Sequence, residues 1–200
     1  MKTKVNVRTL TVTAMLSAIA FLLMFVEFSI PIMPSFVKLD ISDLPALLGT
    51  FALGPVSGVV IELLKNLLHI LFKGTSSAGV GELCNFLLGC FCVVPAGLIY
   101  KHKKSRKTAV IGALVGCAVM AICSLPLNYF VVYPAYVKFY GLPLEAIIGM
   151  YQAINPNVNG LLACLAMFNL PFTFCKGLID AVLCFLIYKP LSPILHKKAN

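Results

Sequence analysis

Charge is missing from most of this chain, and where it is present it is bunched. The 30 residues between Lys107 and Lys138 carry no Asp, Glu, Lys or Arg, and neither do the 30 between Glu145 and Lys176. Eleven of the 16 Lys and Arg residues fall in three groups, Lys2–Arg8, Lys101–Lys107 and Lys189–Lys198. A globule in water needs polar groups over its surface, and such stretches would supply none. A bilayer imposes the opposite rule. A charge at mid-membrane costs kilocalories, whereas Lys and Arg beside the headgroups are favoured. With 60% hydrophobic residues and only seven acids, the 200 residues read as one all-α integral membrane domain over 1–200.

Two features invite other readings. The net charge of +9 could suggest nucleic acid. The basic groups flank apolar runs, however, where they act as topology signals and contacts for anionic membrane lipid, so no nucleic-acid partner is expected. Thr9–Val26 has the look of a secretion leader, but no small-x-small site opens onto a polar region, and it reads as a retained first helix. The eight cysteines all lie in apolar segments without a C-x-x-C pair. They read as small buried hydrophobes, with no disulfide and no metal site.

Punctuation by Gly and Pro divides the chain. Helix 1 is expected over Thr9–Phe28, followed by an exposed loop over Pro31–Ile41. Ser42-Asp43 has the form of an N-cap for a short helix 2, Leu44–Leu53, too short to span alone. Helix 3 follows the Gly54-Pro55 turn over Val56–Phe72, helix 4 covers Val80–Tyr100 and helix 5 covers Thr108–Val132. A long loop over Pro134–Gly160 is expected to hold a short interfacial helix at Leu144–Ile154. Helix 6 runs Leu161–Tyr188 with a kink at Pro171. Six passes with both termini cytoplasmic keep all three basic groups on one side of the membrane, whereas an odd number between groups would not.

Polar residues inside apolar runs are the candidate functional set. Glu62, Asn66 and His69 share a helix face, with Lys65 one step round from Glu62. One His and one Glu do not make a zinc site. Lys176 and Asp180, four apart, have the spacing of a neutralising pair. Thr173 and Lys176 share a face, and a buried ammonium with three donors suits a carbonyl-rich ligand. Ala14 and Ala18 form a small-xxx-small pair that lets another helix approach closely. There is no nucleophile–base set, no H-E-x-x-H and no phosphate loop, so the chain reads as a non-enzyme whose energy source would be another chain.

A series of short motifs carries a family resemblance. It comprises Ala14-Met-Leu-Ser-Ala18, Lys38-Leu-Asp-Ile-Ser-Asp-Leu-Pro-Ala-Leu-Leu-Gly49, Gly54-Pro55, Gly81-Glu-Leu-Cys-Asn-Phe86, Asn128-Tyr129 with Pro134, and Leu170-Pro-Phe-Thr-Phe-Cys-Lys-Gly177. In order and spacing these resemble the substrate-binding (S) components of energy-coupling factor (ECF) transporters, most closely the riboflavin-specific branch. The resemblance implies a multi-pass subunit of the bacterial plasma membrane that captures riboflavin outside, under the first loop as a lid. It would then dock, through a surface like that at Ala14 and Ala18, on a transmembrane coupling protein driven by two ATPases. Riboflavin would be the transported ligand and no cofactor is implied. The helix 6 motif resembles an asparagine and lysine three apart that contact the flavin. Here Lys176 matches, but Thr173 stands at the asparagine position, with Asn169 one turn earlier. Asn85, Asn128, Thr173 and Lys176 supply the polar groups such a ligand needs, and Asp40 would bond it or hold the lid. Other readings are an S component for another vitamin or a flavin phosphate, a self-contained ion-coupled transporter using Glu62, Lys65 and His69, and an intramembrane enzyme.

Overall fold

Apolar runs broken by Gly and Pro become helices because a chain that buries no water must satisfy its backbone hydrogen bonds internally. A computed structural model describes residues 7–34, 37–75, 78–141 and 143–196. The basic residues Lys2, Lys4, Lys197 and Lys198 lie outside them. Helices α1 (Val7–Leu23), α2 (Leu44–Leu53), α3 (Pro55–Lys73), α4 (Val80–His102) and α5 (Arg106–Leu127) come first. After them come α6 (Tyr133–Tyr140), α7 (Leu144–Gln152), α8 (Leu161–Cys164) and α9 (Leu170–His196). Among the described residues, four continuous helical stretches are long and apolar enough to cross a membrane: Pro55–Lys73, Val80–His102, Arg106–Phe139 and Leu161–Tyr188. α1 and α2 are apolar but shorter.

α2 has the bounds expected from its sequence. Eight of its 10 residues are buried, among them Ala46, Leu47 and Leu48, and it packs on α1, α3, α4 and α9. A helix apolar all round and too short to span is stable only when enclosed like this. Gly54, at φ 109°, makes the turn into α3 in backbone that favours glycine. The tightest seam joins α4 and α5. A Cβ on Gly112 would come within 2.7 Å of the Ala96 carbonyl oxygen, and one on Gly116 would strike the Cys92 carbonyl. Those are backbone atoms that cannot swing away, so Gly116→Ala should cost roughly 1–3 kcal/mol. Its thermal midpoint in detergent is expected several degrees below wild type; an unchanged midpoint would mean that the seam is loose.

Four expectations need correction. Helix 1 ends at Leu23 rather than Phe28, because Phe28–Ser29 (β1) pairs antiparallel with Lys38–Leu39 (β2) and turns the first loop into a short hairpin. Asp43 precedes α2 but its side chain caps nothing; it is drawn to Lys65 instead. The long loop from Pro134 is largely helical. α5 passes through a π-turn at Asn128–Val132 into α6, whose first turn holds Pro134. The irregularity expected at Pro171 is a second π-turn, Leu165–Asn169, between α8 and α9. It lies just ahead of the proline, whose absent N–H breaks the ladder there.

The turn at Gly54 and the α4 end at Lys101 and Lys104 line one small cleft, so they share one end of the bundle. The β1–β2 hairpin, the α3–α4 loop and both π-turns gather at the opposite end, around a larger cavity.

Candidate ligand pocket

The cavity has a volume of about 460 Å³, within the range of small-molecule sites. The first loop, the end of α3, the start of α4, the two π-turns and the first turns of α9 enclose it. Asp40, Asn85, Asn128, Thr173 and Lys176 all line it. The five residues picked out from sequence as binding groups are thus brought together, from stretches up to 136 positions apart. Leu88, Met120, Val132, Tyr133, Tyr136 and Phe172 supply apolar and aromatic wall.

Both π-turns end at the cavity. A π-turn adds a residue to a helix and rotates the faces of the turns beyond it. Here each carries an asparagine, Asn128 and Asn169, into the cavity wall. The Asn128 amide donates to the Ser124 carbonyl at 2.8 Å, which leaves its oxygen as an acceptor to offer. Asn85 donates to the Asn66 side-chain oxygen at 3.3 Å, and Asn66 in turn donates to the Glu62 carbonyl at 2.8 Å.

Lys176 is already engaged. Its ammonium lies 2.9 Å from Asp40 Oδ2 and 3.5 Å from Asp43 Oδ2. The i,i+4 pair with Asp180 expected from sequence does not form. Lys176 reaches the other way, toward the loop, and Asp180 is fully buried with neither carboxylate oxygen hydrogen-bonded. Asp43 also pairs with Lys65, which donates to Ser42 Oγ at 3.1 Å and lies 2.8 Å from Glu62 Oε2. Apart from this ion-pair contact the Glu62 oxygens have no polar partner among the described residues. The result is a chain of alternating charges, Asp40–Lys176–Asp43–Lys65–Glu62. It ties the first loop to α9, to the start of α2 and to α3. Burial would raise the Asp40 carboxyl, but the Lys176 ammonium, then Lys65 and the Ser42 hydroxyl, hold it well below the usual carboxylate range.

A second polar group rims the mouth. Glu27, beside β1, accepts from Lys38 at 2.6 Å and from Lys73 at 3.1 Å. Burial opposes ionisation of Glu27, and the two lysines outweigh it and lower its pKa. His69 Nδ1 lies 3.3 Å from Glu82, which also accepts from Thr75 at 3.0 Å. His69 and Glu62 therefore serve different groups, and the stripe read from helix 3 is divided between the charge chain and the mouth.

Ala14 and Ala18 are not among the residues lining the cavity; they are exposed on α1, as are Leu10, Met15 and Leu22. Pattern reading missed Asp43 and Lys65 as a buried pair, and the Tyr133–Tyr151–Asn169 cluster. Lys65 carried a signal, as a lysine inside an apolar span. Nothing in the sequence named its partner.

An apolar helical bundle with a polar-lined cavity at one end is a membrane-embedded small-molecule binding protein. The family described as "ECF transporter, substrate-specific component" matches residues 8–191, and this chain belongs to it. It is 38% identical over 192 residues to the riboflavin transporter RibU of Staphylococcus aureus (strain TCH60), covering 96% of this chain and 94% of that one. It is 34% identical over 197 residues to the riboflavin transporter FmnP of Bacillus subtilis (strain 168), with 98% and 97% covered. The solved structure of the S component of a bacterial ECF transporter superposes with a TM-score of 0.71 at 36% identity, over 94% of this chain and 98% of that one. The family is one of transport subunits, not enzymes.

Proposed function

We propose that this chain is the riboflavin-capture subunit of an ECF-type importer, a single multi-pass domain of the bacterial plasma membrane. The observation that carries this reading is the cavity, in which Asp40, Asn85, Asn128, Thr173 and Lys176 converge between apolar walls. Riboflavin is uncharged, with a flat ring, a polar ring edge and a hydroxylated chain. It needs apolar faces and a few amides, hydroxyls and an ammonium rather than a compensating charge. The lysine here is already neutralised by Asp40 and Asp43, which suits a neutral ligand better than an anion such as a flavin phosphate. Names shared by relatives in two genera support the same ligand.

The four long helices, with α1 and the enclosed α2, make six passes with both termini cytoplasmic, and the cavity opens outward. Asp40 holds the first loop as a lid through Lys176. Capture outside is followed by docking on a coupling protein whose two ATPases supply the energy. Ala14 and Ala18, small and outward-facing, form the docking surface for a partner helix. Ala14→Leu should leave riboflavin binding unchanged in detergent and reduce ATP-driven uptake into proteoliposomes holding the complete transporter at least tenfold, on the scale of a lost helix contact. Wild-type uptake by Ala14→Leu would remove α1 as the docking face. Uptake by wild-type subunit alone, without coupling protein and ATPases, would overturn the capture-subunit reading in favour of a self-contained transporter.

A further inference from the structure

Asn169 is a cavity-lining amide held on both its oxygen and its nitrogen by side chains of other helices. It ends the π-turn before α9, is 6% exposed and faces the cavity. The Tyr151 hydroxyl, on α7, donates to its Oδ1 at 2.7 Å. Its Nδ2 donates to the Tyr133 hydroxyl, on α6, at 3.4 Å, and the two hydroxyls are bonded to each other. The three side chains close a ring in which each donates once and accepts once. Closed rings of this kind are cooperative and admit one amide orientation at a time.

Tyr151 itself does not line the cavity. It is fully buried, packs its ring against Phe168 at 5.4 Å and sits in the apolar cluster of Ile147, Val158, Cys164 and Leu165. Its hydroxyl therefore meets the site through two residues that line the cavity, Tyr133 and Asn169, and Asn169 is the amide it orients. The oxygen of that amide is turned toward Tyr151, so the cavity is offered the amide's nitrogen side, where one N–H remains beyond the bond to Tyr133.

We infer that Tyr151 is a positioning residue that, with Tyr133, fixes the Asn169 amide as a hydrogen-bond donor to a carbonyl-type acceptor of the ligand. The inference rests on the riboflavin reading above and goes beyond it by assigning a role to α7, which touches no ligand. It makes the covering segment α6–α7 part of the recognition of a neutral, acceptor-rich ligand, because that segment sets which face of Asn169 the ligand meets.

The test is riboflavin titration by flavin fluorescence on four purified proteins: wild type, Tyr151→Phe, Asn169→Ala and the double variant, each with its thermal midpoint. Tyr151→Phe keeps the ring and deletes only the oxygen. It is expected to weaken binding roughly tenfold, the scale of one hydrogen bond. In the Asn169→Ala background the same change is expected to alter affinity less than about twofold, since the group it acts through is gone. A purely structural role would give the same loss in both backgrounds, and that result overturns the assignment, as does wild-type affinity in Tyr151→Phe. Should Tyr151→Phe not fold, Asn169→Gln decides. It keeps the amide but carries it one methylene off the tyrosine ring, so it is expected to lose binding as Asn169→Ala does, and wild-type affinity would overturn the inference. Absence of riboflavin binding by the wild type would instead remove the ligand reading on which the inference rests.

Discussion

Lys65→Met should be the most destabilising single change in the protein. It leaves Asp43 and Glu62, 3% and 0% exposed at the side chain, with their shared cation removed. Breaking a buried pair from one side costs about 3–5 kcal/mol, because the carboxylates left behind are not hydrated; Glu62 loses its cation and Asp43 keeps only Lys176, at 3.5 Å. That is a large share of the roughly 5–15 kcal/mol that holds a typical domain. The thermal midpoint in detergent is expected to fall by roughly 10 °C, or the protein to fail to accumulate. The triple change Lys65→Met, Asp43→Asn, Glu62→Gln removes the two carboxylates that Lys65 held while Lys176 keeps Asp40, and should recover most of the loss. The comparison separates charge from packing. If Lys65→Met alone melts with the wild type, the buried chain of charges is not a structural tie.

Lys176→Ala should have the largest effect on binding. The ammonium lines the cavity and also anchors Asp40, whose loop covers it. Removing a charged donor costs about 1.5–3 kcal/mol, and release of the loop adds to this, so affinity for riboflavin is expected to fall about a hundredfold. The thermal midpoint should fall as well, since Asp40 and Asp43 lose a partner. Adding Asp40→Asn should restore part of the stability without restoring the affinity. That split distinguishes a lysine that serves both loop and ligand from one that only ties the loop. Affinity that returns with stability would assign Lys176 to the loop alone.

How much of the fold and site was readable from residues depended on range. The charge-free stretches and the Gly and Pro breaks located the helices, and α2 was bounded to the residue, because those signals are local. Lys176, Asn85 and Asn128 could be picked because polar side chains are costly in an apolar run, Thr173 because it shares a helix face with Lys176, and Asp40 through the family resemblance; all five line one cavity. The pairings were a different matter. Lys176 and Asp180 satisfied the helix rule for neighbours, yet Lys176 chose a loop aspartate 136 residues away, which no local spacing encodes. Asp43 had the sequence of a cap and the job of a counter-ion for the same reason. Pro134 read as a break and Pro171 as a kink; each sits beside a π-turn through which the helix continues. The β1–β2 hairpin is two residues a side, too short for any alternation to show.

The central claim is that the cavity at the end of the bundle takes riboflavin. The most direct measurement is quenching of riboflavin fluorescence on the purified protein, with thiamine and biotin as competitors. Saturable, one-to-one quenching at submicromolar flavin, unaffected by either competitor, is the expected result. Folded protein that leaves riboflavin fluorescence unchanged while binding another vitamin would contradict it.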